Sequence, residues 1–138
     1  MRVILDTNVL VSGVFFGGLP REILEAWRRG ALRIVFSLEI LDEYERVGAR
    51  LARRFEGVDL DPFLYLLGVH GELVEAAMLA EPVTKDPTDD KFFACALGAG
   101  VRVIVSGDAH LHTVSGWRGI EVVRPADFYR RFLKVDGD

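Results

Sequence analysis

The 138 residues carry 17 Lys and Arg against 21 Asp and Glu, a formal net charge of −4, and half of them are hydrophobic. That length suits one domain with its own core, the apolar fraction argues against disorder, and no apolar run approaches the roughly 18 residues of a membrane span. A single cysteine, Cys95, leaves no internal disulfide, and with no secretory leader in view the expected setting is a reducing cytoplasm.

Val3-Ile4-Leu5 is a short apolar run of the kind that forms a buried strand, and it gives way at once to Asp6, Thr7 and Asn8. In an open α/β sheet, ligands bind beyond the carboxyl ends of the strands, which places Asp6 well for chemistry. All three residues are also good helix caps, so Asp6 as a plain N-cap is the competing reading. Val9 to Phe16 is mostly apolar and is broken by Gly17, Gly18 and Pro20. A helix is expected around Ile23, Leu24 and Trp27, stopping at Gly30, and then a strand over Arg33–Phe36.

Ser37 reads as the N-cap of a helix from Leu38 to about Phe55, with Ile40, Leu41, Tyr44, Val47, Leu51 and Phe55 as its apolar stripe. At ~100° per residue, Glu43 falls on the rim of that stripe, and Arg50 and Arg54 continue nearly the same line. An acid at the edge of a packed face, with arginines running away from it, suits a metal site beside a phosphate track. A solvated face of mixed charge explains the same residues. A helix over Asp59 to Leu67 with Pro62 in its first turn is expected next, and Gly71 to Ala76 reads as a short strand or as more helix.

Asp86 followed by Pro87 is a good helix start, with Asp89 as a capping-box-like partner. Asp90 has no local role of that strength. It stands ahead of an apolar helix through Phe92, Phe93, Ala94, Ala96 and Leu97, ended by Gly98 and Gly100, and the positive end of that helix would ease its ionisation. Val101 to Val105 is the clearest strand, and Ser106-Gly107-Asp108 behind it repeats the arrangement at Asp6. His110 and His112 read as surface or hydrogen-bonding residues rather than ligands. Ile120–Val123 gives a last strand and Pro125–Leu133 a last helix, leaving residues 1–134 as one domain and 135–138 as a short tail. Strands alternating with helices predict a three-layer α/β/α domain around a central parallel sheet of about five strands.

Asp6, Glu43, Asp90 and Asp108 are thus the acids without a sufficient local role. Brought together they would repel one another and raise one another's pKa values, a cost that a divalent cation removes. All-oxygen ligands favour Mg²⁺ or Mn²⁺ over zinc. Ions so held can activate a water, neutralise a phosphodiester and stabilise the leaving oxygen. The chemistry implied is metal-assisted hydrolysis of a nucleic-acid backbone. A net charge of −4 argues against general coating of nucleic acid, but not against a nuclease whose acidic site lowers the total.

The sequence resembles the PIN-domain nucleases, a family that includes toxins of toxin–antitoxin pairs, over nearly the whole chain. The motifs that carry the resemblance are Leu5-Asp6-Thr7-Asn8, Ser37 through Glu43-Tyr44, Asp86-Pro87-Thr88-Asp89-Asp90 leading to Ala94, and Val105-Ser106-Gly107-Asp108. Matched residue by residue, the resemblance implies Asp6, Glu43, Asp90 and Asp108 as metal-binding acids, Asn8 as a polar residue ordering the site, and Ser106 as the small hydroxyl residue before the last acid. Asp86 and Asp89 leave another register open. The resemblance further implies a Mg²⁺- or Mn²⁺-dependent endoribonuclease, commonly a homodimer and often neutralised by a small antitoxin protein. Arg50 and Arg54, with Arg53, Arg28 and Arg29 as further candidates, would then contact RNA phosphates and make binding salt-dependent.

Two other readings stand beside this one. An RNA- or protein-binding module that keeps the fold without turnover could lose an acid without consequence, and all four are present. A phosphatase built on a phosphoryl-accepting Asp6 would usually carry a second acid two positions on, where this chain has Asn8.

Overall fold

Short apolar strands form the middle of the molecule. In the computed structural model, which describes residues 1–134, all five run parallel. The tail expected at 135–138 lies outside the described residues. β1 (Arg2–Leu5), β2 (Arg33–Phe36), β3 (Glu72–Leu73), β4 (Val103–Val105) and β5 (Glu121–Val123) lie in the order β3-β2-β1-β4-β5. Val3, Ile4, Leu5, Ile34, Val35, Ile104 and Val105 are fully buried. Such strands are hidden on both faces, so their sequences show continuous apolar runs instead of alternation.

Helices supply that cover on both faces, giving the α/β/α layering expected from the sequence. α1 (Thr7–Phe15) and α2 (Gly18–Arg28) follow β1, α3 (Leu38–Arg54) follows β2, and α4 (Asp61–His70) leads into β3. α5 (Asp90–Ala99) precedes β4, α6 (Ala109–His112) follows it, and α7 (Pro125–Phe128) follows β5. The single last helix expected from the sequence divides, because a π-helical turn over Tyr129–Leu133 succeeds α7. α4 starts later than expected because the Asp59 carboxylate accepts the Asp61 N–H at 2.9 Å and holds a turn ahead of the helix. No helix among the described residues is long and apolar enough to cross a membrane.

Two details fix the helices that matter for the site. Ser37 caps α3 as expected, its hydroxyl accepting the Ile40 N–H at 3.3 Å. The buried face of α3 presents Ile40, Tyr44 and Gly48. A Cβ on Gly48 would stand 2.3 Å from Leu60 Cδ2, so the segment entering α4 packs there only against glycine. The Tyr44 phenol donates to the Leu5 carbonyl at 2.6 Å, tying α3 to the end of β1. α5 buries Phe92 through Ala96 and ends at Gly100, whose φ of 71° is the left-handed cap that glycine favours. Cys95 within it is a buried thiol, pushed up to about 12 by that burial, and so an inert core residue.

The order of the strands decides where chemistry can occur. From β1 the chain builds outward to β2 and β3, then crosses back to add β4 and β5 on the other side. The reversal falls between β1 and β4, where open parallel sheets leave a crevice at their carboxyl ends. The ladder runs one residue beyond the strands there. The Asp6 N–H donates to Val105 O and the Ser106 N–H to Val123 O, both at 2.9 Å.

Candidate active site

Asp6 occupies the N-cap position of α1, yet its side chain caps nothing. It is 5% exposed, and its Oδ2 accepts the Ser106 hydroxyl proton at 2.6 Å. Ser106 is itself buried, and its oxygen accepts the Asp108 N–H at 3.0 Å. One serine thus links the acid behind β1 to the backbone of the acid behind β4. The cap reading of Asp6 therefore fails. Burial pushes the Asp6 carboxyl above the usual carboxylate range; the Ser106 hydrogen bond opposes that shift, and nearby Asp108 and Glu43 add to it.

Glu43 reaches the same place from α3, held there by the bond between its neighbour Tyr44 and Leu5. The Thr7 hydroxyl donates to Glu43 Oε2. Lys91 Nζ donates to Oε1 at 2.6 Å, and the two side chains of this ion pair are only 14% and 17% exposed. Both partners escape sequence reasoning. Thr7 looks like a cap residue and Lys91 like a solvated charge, and they lie 36 and 48 positions from Glu43.

The carboxylate of Asp90 is engaged by the loop ahead of its own helix. It accepts the Thr84 N–H at 2.8 Å, the Thr84 hydroxyl at 2.9 Å and the Val83 N–H at 3.3 Å, and so pins the loop ahead of α5. Asp90, expected beside Asp6, Glu43 and Asp108, is engaged by this loop, whereas Asp89 feels the charges of those three acids. The Asp89 carboxyl is pushed up to about 6, first by burial and then by the charges of Asp86, Asp6, Asp108 and Glu43. The cause lies in the local turn. Asp86 caps it, its Oδ1 accepting the Thr88 N–H at 3.0 Å and the Thr88 hydroxyl at 2.8 Å. The residues that follow, Pro87–Asp89, form a 3₁₀ turn rather than the first turn of an α-helix. Asp89 closes that turn, and Asp90 begins α5. Among the described residues no hydrogen bond joins the Asp89 carboxylate to the Asp86 N–H, so the capping-box pairing expected of it is absent; the two are linked only through the Asp89 N–H and the Asp86 carbonyl, at 3.0 Å.

Asp108 caps α6, its Oδ1 accepting the His110 N–H at 2.8 Å. His112 Nε2 lies 2.7 Å from the Ser106 carbonyl, and His110 is exposed, both in keeping with hydrogen-bonding or surface roles. Asn8 is exposed, and among the described residues its side chain has no hydrogen-bond partner; Thr7 does the ordering expected of Asn8. Arg50 and Arg54 are exposed on α3, ~10 and ~16 Å beyond Glu43 at ~1.5 Å per residue. They lie outside the acid group, and the Arg54 guanidinium stands 5.8 Å from the Phe55 ring centroid. Arg28 is at the opposite end of the sheet, on a 510 Å³ cavity shared with Arg2, Arg33 and His70 at the amino ends of β1 and β2.

The acids whose charges bear on Asp6 and Asp89 are therefore Asp6, Glu43, Asp89 and Asp108, with Asp86 beside Asp89, and Ser106, Thr7 and Lys91 are hydrogen-bonded to members of that set. As placed, no three His, Cys, Asp or Glu side chains among the described residues are drawn closely enough together to hold a metal ion. Glu43 is engaged by Thr7 and Lys91, and Asp108 by its cap. The donor chemistry still fits a hard divalent cation. The candidate ligands are all carboxylate oxygens, and two of the acids, Asp6 and Asp89, are disfavoured in their charged forms by burial first and then by neighbouring carboxylates, Asp108 and Glu43 in both cases.

A family model described as PIN domain matches residues 2–110, a span that contains every acid of this group. No curated protein matches the chain.

Proposed function

The chain belongs to the PIN-domain family, and from that premise we propose that it is a Mg²⁺- or Mn²⁺-dependent endoribonuclease whose site is Asp6, Glu43, Asp89 and Asp108. PIN domains are generally nucleases and usually bind divalent metals. What supports the reading is that Asp6, behind β1, and Asp89 are both raised by burial and by like charge, with Glu43 and Asp108 acting on each of them. A fold that concentrates acids at this cost is suited to a cation and, through it, to an anionic substrate.

Those four acids would hold the ion, which when bound supplies an activated water and neutralises charge on the phosphodiester. The chain's own residues set the geometry. Ser106 holds Asp6 in one orientation through its hydroxyl and fixes Asp108 through that residue's N–H. Thr7 orients Glu43. The burial of Asp6 keeps water from screening it. Arg50 and Arg54 extend a basic line along α3 on which the RNA backbone would continue past the site. In the toxin–antitoxin setting that the sequence resembles, the protein acts as a homodimer restrained by a small antitoxin.

The test is cleavage of a mixed pool of structured and single-stranded RNAs with Mn²⁺, with Mg²⁺ and with EDTA, beside Asp6→Asn. Cleavage that needs the metal and disappears in the variant is the expected result. A folded wild-type protein that binds Mn²⁺ but cleaves none of the pool would instead favour a silent binding module.

A further inference from the structure

We infer that Lys91 is a built-in counter-ion of the acidic site, occupying Glu43 in the metal-free protein and giving it up when a divalent cation enters. The inference rests on the metal-site reading above and concerns a residue that this reading leaves without a role. Lys91 Nζ lies 2.6 Å from Glu43 Oε1, in a pair of which little is exposed. Among the described residues it is the only Lys or Arg in an ion pair with Asp6, Glu43, Asp89 or Asp108. A long, flexible ammonium does not reach this depth without a strong reason, because lysine is strongly hydrated and loses much side-chain entropy when held. The reason here is the surplus of negative charge around it.

The same contact explains why the acids do not close into a ligand set. One Glu43 oxygen is engaged by the Thr7 hydroxyl and the other by the ammonium. A divalent cation competing for Glu43 must displace Lys91 or tolerate a positive charge a few ångströms away, and either lowers its affinity. Lys91 is thus a positioning residue. It keeps the empty site folded, sets a threshold for metal loading, and on release leaves an ammonium beside the phosphodiester that the site would bind.

The experiment is a Mn²⁺ titration of the full chain by calorimetry, comparing wild type with Lys91→Met, Lys91→Gln and Lys91→Arg, and thermal melts of each in EDTA and in Mn²⁺. The neutral variants are expected to bind Mn²⁺ at least tenfold more tightly, to melt lower in EDTA, and to recover in Mn²⁺, whereas Lys91→Arg stays near wild type. A second readout needs no variant. Acetylation of the wild-type chain, read by mass spectrometry, is expected to rise at Lys91 on adding Mn²⁺ while Lys85 and Lys134 stay constant. Wild type that binds Mn²⁺ while both neutral variants bind it equally or more weakly, or Lys91 labelling that does not respond to a bound metal, overturns the inference alone. Wild type that binds no Mn²⁺ at all overturns the metal-site reading, and the inference with it.

Discussion

A carboxyl group that titrates near 6 is a burden at neutral pH, and Asp89 is such a group. Its ordinary value is 3.8 and its folded value about 6, so between those two pH values the folded chain keeps a proton that the unfolded chain has released. Stability therefore falls as pH rises from about 4 to about 6, and the full cost is present at pH 7 in the absence of metal. Asp6, raised in the same direction, adds to it. Asp89→Asn removes the ionisation and is expected to stabilise the metal-free protein at pH 7 by on the order of 1 kcal/mol, after discounting for solvent screening of a half-buried group. At pH 4 the gain should vanish. Melts in EDTA at the two pH values decide it; no gain at pH 7, or the same gain at both, would remove the burden from Asp89. The same residue shows where the sequence stopped being informative. Asp89 and Asp90 are adjacent acids, and both satisfy the pattern of an acid ahead of an apolar helix. Only the 3₁₀ turn and the three bonds from Val83 and Thr84 to Asp90 separate their roles.

At the scale of elements, placement of the site depends on how α3 meets β1. The buried phenol of Tyr44 donates to the last carbonyl of β1, and Glu43 is the next residue along the helix rim. Burial also pushes the Tyr44 hydroxyl well above its usual range, so it remains a donor at every working pH. Tyr44→Phe leaves the Leu5 carbonyl without this partner and is expected to cost about 1 kcal/mol in urea unfolding and to weaken Mn²⁺ binding by loosening Glu43. Wild-type stability and affinity in that variant would show that α3 is positioned by packing alone. Tyr44 was readable in the sequence as part of the apolar stripe, but not as a hydrogen-bond donor, because its partner belongs to another element. α1 was not readable as a helix: Val9, Leu10 and Val11 are all buried, which erases the helical period that a half-exposed helix shows. α5 was readable despite similar burial because Asp86, Pro87 and Gly100 mark its approach and its end.

For the whole molecule, the parallel sheet and its active edge follow from a few short runs. Val3-Ile4-Leu5 and Ile104-Val105 are fully buried, and each is followed by the polar residues of the candidate site. This is why the sequence itself indicates the fold and the strand ends that carry Asp6 and Asp108. The net charge of −4 is compatible with such a site, and Arg2, Arg28 and Arg33 line a cavity at the other end of the sheet. Contacts between distant residues were not legible. Thr7 to Glu43 and Lys91 to Glu43 join positions whose local patterns say nothing of one another.

The assignment of the third acid, and with it the site as a whole, is tested most directly by Mn²⁺-dependent RNA cleavage by Asp89→Asn beside Asp90→Asn. Asp89→Asn is expected to fold and to lose cleavage. Asp90→Asn is expected to melt lower, by about 1–3 kcal/mol for its weakened loop bonds, and to keep cleaving where it is folded. A folded Asp90→Asn without cleavage, together with an active Asp89→Asn, would contradict the site described above and return the third position to Asp90.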